Sequence, residues 1–179
     1  MRKNDLLWFL AFPIYLTLGT IRHEASHALA AFLQGVGIKE FVFWPTIHDS
    51  SLRFGFVRYA GRVDQISSSI APYLCDLLTF LIFFLLCLFI SFRHRWVWLN
   101  LVIIGVLSPL VNTAHNYLKM GKGSSDVAKL LTASPNIAVH VFMVASLLLY
   151  LFGLLWIFRY SKTVQLHGIR KPLVGIDCV

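Results

Sequence analysis

Three residues on one stretch of chain carry chemistry: His23, Glu24 and His27, in the order His-Glu-x-x-His. On an α-helix, positions four apart share a face. Two imidazoles at that spacing can bind one zinc ion, and the glutamate beside the first ligand can take a proton from an activated water. A catalytic zinc needs a third protein ligand and an open position. Four residues are candidates: Asp126, Asp76, His115 and His48. Asp126 is favoured, because it opens a short helix just after the third apolar run and a carboxylate at membrane depth needs a partner. Asp76 lies one turn into an apolar run and reads as a helix-start charge favoured by the macrodipole. His115 and His48 read as ordinary satisfied polar residues. Asn112 and Asn116, near the end of the third run, are candidates for stabilising an oxyanion or positioning a substrate.

The elements that must position these residues are membrane helices. Of 179 residues, 58% are hydrophobic and only 13% are charged, and the mean hydropathy is +0.72. A soluble domain is roughly half apolar and a quarter charged. The expected fold is therefore an all-α membrane protein of about four transmembrane helices, with a β-hairpin-like insert between helices one and two. The first span is expected from Asp5 to Gln34, bent near Pro13 and stopped by Gly35 and Gly37. The second runs from Ile70 to Phe92, with Pro72 in its first turn. The third covers Trp96 to about Tyr117 and is broken at Ser108-Pro109. The fourth covers Asn136 to Phe158. Each is long enough to cross a bilayer, which takes about 20 residues. Residues 1–160 form one domain, and 161–179 form a basic tail.

Between the first two spans, residues 35–69 form the insert. Lys39 to Trp44 and Leu52 to Tyr59 are rich in aromatic and β-branched residues, with Pro45 and Asp49 to Ser51 between them. That pattern predicts a β-hairpin at the membrane interface. Ser124 or Ser125 can cap the short helix that begins at Asp126. With four spans, the ends of helices one and three face the same side, so His27 and Asp126 share it.

The net charge is +8. The basic residues flank apolar runs, as lipid-headgroup anchors do, which disfavours nucleic acid as a partner. The expected partners are the bilayer and a membrane-protein substrate; the oligomeric state stays open. Cys75, Cys87 and Cys178 match no disulfide, zinc-ribbon or redox spacing and read as small packing residues. Small residues around the motif, Ala25, Ser26, Ala28, Ala30 and Ala31, allow other helices to approach closely.

Taken together, the stretch His23-Glu24-Ala25-Ser26-His27-Ala28-Leu29-Ala30-Ala31, the later Ser125-Asp126-Val127-Ala128 and the β-rich insert resemble the site-2 protease family of intramembrane zinc metalloproteases. The resemblance covers roughly residues 5 to 135. It implies His23, His27 and Asp126 as zinc ligands, Glu24 as catalytic base, and cleavage of a peptide bond in or near a transmembrane segment. Better-known members carry Asn-x-x-Pro ahead of an Asp-Gly pair. Here Val127 follows Asp126, and Asn112 and Asn116 lie outside that pattern, which implies a divergent, minimal member. Two other functions are compatible with the residues: an inactive protein of the same fold that binds partner transmembrane segments, and a small membrane protein that handles metal or other ions.

Overall fold

The chain opens with α1, Lys3–Leu33, a largely apolar helix that carries Pro13 in its interior and the charged stretch Arg22 to His27 in its second half. Gly35, at a φ of 73°, ends it, as the glycine-rich stop predicts. The Val36 amide bonds back to the Ala31 carbonyl at 2.9 Å, the reversal that a left-handed residue just past a helix permits. The computed structural model describes residues 3–48, 51–90, 95–121 and 125–168, with side chains over 11–47, 54–90, 96–121 and 125–159. The side chain of His48, the turn at Asp49 and Ser50, and the basic cluster Arg93–His94 lie outside the described residues.

The insert is the expected hairpin, built in two ladders. Strand β1 (Ile38–Val42) pairs antiparallel with β4 (Phe56–Tyr59), with an irregularity between Ile38 and Glu40. Beyond it, β2 (Thr46–His48) pairs with β3 (Ser51–Arg53). The inner ladder is held against α1 at Gly55. A Cβ there would lie 2.7 Å from Thr20 Cγ2, 2.8 Å from Glu24 Cγ and 3.0 Å from the Val42 carbonyl, so only glycine fits.

Helix α2, Gln65–Phe89, begins earlier than the sequence pattern predicts. Asp64 is its N-cap and accepts from the Ser67 amide at 2.8 Å and the Ser67 hydroxyl at 2.6 Å. This cap recruits the serines into the helix and leaves Pro72 in the interior rather than in the first turn. The third apolar run does not break at Ser108-Pro109. Helix α3 (Arg95–Val102) passes through a π-helical turn, Ile103–Leu107, directly into α4 (Ser108–Leu118). The wider turn absorbs the proline by shifting the hydrogen-bond register. Helix α5, Asp126–Ala133, is capped by Ser125, whose hydroxyl accepts from the Ala128 amide at 3.1 Å. Helix α6, Asn136–Gly168, continues past the expected end at Phe158, because neither glycine nor proline interrupts residues 159–167. The tail expected from 161 is thus helical to 168, and 169–179 lie outside the described residues.

Three helices are long and apolar enough to cross a membrane: Gln65–Phe89, Trp96–Leu118 and Asn136–Arg159. Many of their large apolar side chains face outward, among them Leu78, Leu81, Leu85, Leu148, Leu155 and Trp156, as a lipid-facing surface requires. Two buried clusters hold the helices together. One gathers Phe80, Val102, Val106, Tyr150 and Ile157 from α2, α3, the π turn and α6. The other gathers Tyr73, Val127, Leu130, Val139 and Met143, clamping α5 between α2 and α6. Gly105 and Gly153 meet Phe83 and Phe80 of α2 in these contacts, and a Cβ at either would fall within 2.5 Å of the ring or its stem.

Candidate metal centre

Because α5 is clamped to α2, and α2 packs along α1, Asp126 is carried onto the face of α1 that bears the two histidines. Its Oδ2 lies 3.2 Å from His23 Nε2 and 3.2 Å from His27 Nε2. The two Nε2 atoms are 3.3 Å apart. Among the described residues, His23, His27 and Asp126 form a group that could hold a metal ion. Asp76 and His115 are not part of that group.

With His27 neutral, this triangle is one hydrogen short. His27 Nδ1 lies 2.8 Å from the Ser68 carbonyl, so a neutral His27 donates there and turns a bare lone pair inward on Nε2. That lone pair faces a carboxylate oxygen, with no hydrogen between them. A proton on His23 Nε2 can serve Asp126, but it leaves the His27–Asp126 edge unbridged. A second proton on His27, or a metal ion bonded to all three atoms, removes the conflict. The spacing fits: ligand atoms placed tetrahedrally about 2.0–2.1 Å from one ion lie about 3.3–3.4 Å apart.

The other oxygen of Asp126 is bound as well. Lys129 Nζ donates to Oδ1 at 2.9 Å, one turn along α5. Burial opposes ionisation of this carboxyl, but hydrogen bonds from His23 and from His27 in its protonated form, with the charges of that His27 and of Lys129, outweigh it. They hold the carboxyl well below the usual carboxylate range. Asp126 therefore stands ready as an anionic ligand, only 8% exposed. Glu24 is buried to the same degree. It is surrounded by His23, His27, Asp126 and Lys129, with the hairpin at Gly55 against its stem. Tyr59 of β4 reaches the same region, its hydroxyl 3.0 Å from Ser68 Oγ.

A second layer lies behind His23. Its Nδ1 is 3.3 Å from the amide nitrogen of Asn112, which donates to Asp76 Oδ2 at 2.7 Å. The Asn116 amide donates to the Asn112 backbone and side-chain carbonyls at 3.0 and 3.1 Å. Asn112 thus lies against His23, and Asn116 reaches it only through Asn112. Asp76, only 1% exposed, pairs through Oδ1 with Arg22 Nε at 2.7 Å. The other two arms of Arg22 donate at 3.1 Å to the Ile104 carbonyl and the Ser108 hydroxyl.

Sequence reasoning passed over Arg22 and the roles of Pro72 and the π turn. The signal was present in part: Arg22 is an ionisable residue inside an apolar helix, and such a residue demands a partner.

Comparison of the chain with protein-family models, curated proteins and solved structures gives no match. What the fold and site define is a class: a helical chain with three apolar helices long enough to span a membrane and a buried His-His-Asp group suited to a metal ion.

Proposed function

We propose that the chain is a zinc-dependent intramembrane endopeptidase, a divergent and minimal relative of the site-2 protease type, cutting a membrane-protein substrate in or near a transmembrane segment. The observation that carries this reading is the convergence of His23, His27 and Asp126 within 3.2–3.3 Å of one another, beside a buried Glu24. Two imidazoles and one carboxylate suit zinc and its neighbours among the transition metals; calcium and magnesium prefer all-oxygen shells. In this reading α1 is the fourth span.

When bound, zinc would lower the pKa of a water and polarise the scissile carbonyl. Glu24 takes the attacking water's proton and passes it to the leaving amine. Burial of Glu24 keeps bulk water from competing for that proton. His27, held by Ser68, and His23, backed by Asn112, keep their Nε2 atoms aimed at one point. Asn112 and Asn116 serve here to orient His23, since the Asn112 amide is engaged by Asp76. A substrate helix hides its amides in its own hydrogen bonds and must unwind to be cut. The hairpin, seated against Glu24 at Gly55, offers a strand edge to the unwound segment.

A non-catalytic metal carrier has no need of a buried glutamate beside its first ligand, so the peptidase reading is preferred over ion handling. The test uses purified protein in detergent and cells co-expressing a single-span reporter. His23→Ala is expected to lose zinc by elemental analysis. Glu24→Gln is expected to keep stoichiometric zinc and lose reporter cleavage. Unchanged cleavage in Glu24→Gln refutes the assignment of the base.

A further inference from the structure

Two prolines inside helices stand next to the metal centre, and each releases one backbone carbonyl. In an α-helix the carbonyl of residue 68 would accept from the amide of residue 72. Residue 72 is Pro72, which has no N–H. The released Ser68 carbonyl is the one that meets His27 Nδ1 at 2.8 Å. The same device recurs on the neighbouring helix. In α-helical register the Ile104 carbonyl would accept from the Ser108 amide, but the π turn sends that amide to Ile103. The next donor in π register is residue 109, and Pro109 has none. The released Ile104 carbonyl is the one that accepts from Arg22 Nη1 at 3.1 Å. Both prolines are fully buried. Arg22 and His27 flank the same short stretch of α1.

We infer that Pro72 and Pro109 are positioning residues of the metal centre: each leaves a carbonyl open so that a side chain of α1 locks onto it. Pro72 fixes the tautomer and ring plane of His27. Pro109, with the π turn, anchors Arg22 beside His23 and thereby the rotation of α1 about its axis. The inference rests on the metal-centre reading but not on peptidase activity.

The effect runs against the usual expectation for proline. Replacing a helix-interior proline by alanine restores a backbone hydrogen bond and ordinarily favours the helix. Here the restored amide at 72 competes with His27 for the Ser68 carbonyl. Outer-layer partners of a metal-bound histidine are typically worth about 10–100-fold in metal affinity. Pro72→Ala is therefore expected to bind zinc about tenfold more weakly, at the lower end of that range, since a carbonyl can keep two partial acceptor contacts. The thermal midpoint of the metal-free variant is expected to stay equal or rise.

The experiment is a competition titration of the full-length protein in detergent against a chromophoric zinc chelator. It is repeated with cobalt(II), whose visible absorption reports ligand geometry. Weaker zinc binding with an altered cobalt spectrum and no loss of thermal midpoint supports the role of Pro72. Parent affinity and a parent spectrum overturn it. Pro72→Gly restores the same N–H in a smaller residue and decides the matter if the alanine variant does not fold. Pro109→Ala tests the second carbonyl by the same readouts, and parent values there overturn the role of Pro109. If the parent protein binds neither zinc nor cobalt, the metal centre itself falls, an outcome distinct from parent-like variants.

Discussion

The Arg22–Asp76 pair offers a test of the packing that needs neither substrate nor metal. Asp76 is 1% exposed, and its two oxygens are taken by Arg22 Nε at 2.7 Å and the Asn112 amide at 2.7 Å. Replacing Asp76 by leucine leaves a guanidinium in the interior with two of its three partners, Ile104 and Ser108. Removing one partner of a buried pair costs about 3–5 kcal/mol. Replacing both by apolar residues of similar size is often neutral or stabilising. Arg22→Met with Asp76→Leu is therefore expected to recover part of the loss. It should still fall short of the parent, by about 1 kcal/mol for each hydrogen bond lost at the Ile104 carbonyl, the Ser108 hydroxyl and the Asn112 amide. The assay is equilibrium unfolding in mixed micelles, followed by helical circular dichroism, on the parent, both single variants and the double. If Asp76→Leu costs less than about 1 kcal/mol, the range of an exposed pair, the pair is not buried as described and the reasoning fails.

Three further outcomes are expected. Gly55→Val should leave zinc stoichiometry intact while lowering reporter cleavage, because its Cβ would press on the Glu24 stem and the Val42 carbonyl but touch no ligand; zinc lost in parallel with cleavage would show that the hairpin holds the ligands instead. Chelator-stripped protein should unfold more easily than the loaded form, with a gain of about 2.7 kcal/mol at free zinc a hundredfold above Kd, and the gain should vanish in Asp126→Ala; zinc stabilising Asp126→Ala as fully as the parent would remove Asp126 from the ligand set. The Asp64 carboxyl is held below its ordinary value by the hydroxyl and amide of Ser67, so its capping contribution is complete above about pH 4 and is lost as the pH falls through the lowered folded value. Asp64→Ala should flatten the acid limb of a stability–pH profile, and an unchanged limb would mean that the cap contributes nothing.

The chemistry was legible in the sequence where it depended on spacing along one element. His23 and His27 share a face by helical geometry alone, and Ser125 before Asp126 marks a helix start by its cap. The hairpin was legible from its aromatic and β-branched strands. What stayed hidden depends on several helices meeting. Asp76 could be read as a helix-start charge or a ligand, because nothing local shows that Arg22 arrives opposite it on α1. Pro72 read as a first-turn proline because the Asp64 cap extends the helix backward past the serines. Ser108-Pro109 read as a break because a π turn has no compositional signature; its evidence is the packing of Gly105 against Phe83 and the capture of the Ile104 carbonyl.

The charges around the His-His-Asp group favour a bound cation there. Arg22 and Lys129 are positive, while Glu24, Asp76 and Asp126 are negative. With neutral histidines, two positive charges, one of them on the half-exposed Lys129, meet three negative ones, leaving a net charge of minus one around the site. Arg22 is tied to Asp76 and Lys129 to Asp126, so the surplus falls on Glu24 and the His-His-Asp triangle beside it. An interior negative charge is costly unless paired. A divalent ion in the triangle reverses the sign of the whole cluster to plus one. On the proposed reading, a site of that sign would stabilise negative charge developing on a substrate carbonyl, with the carboxylate of Glu24 left to take the proton of an incoming water. On the proposed peptidase reading, the same ion would relieve this charge imbalance and set the polarity that hydrolysis needs. Replacing Glu24 by glutamine removes the surplus without touching a ligand, which is why that variant is expected to keep its metal while losing the reaction.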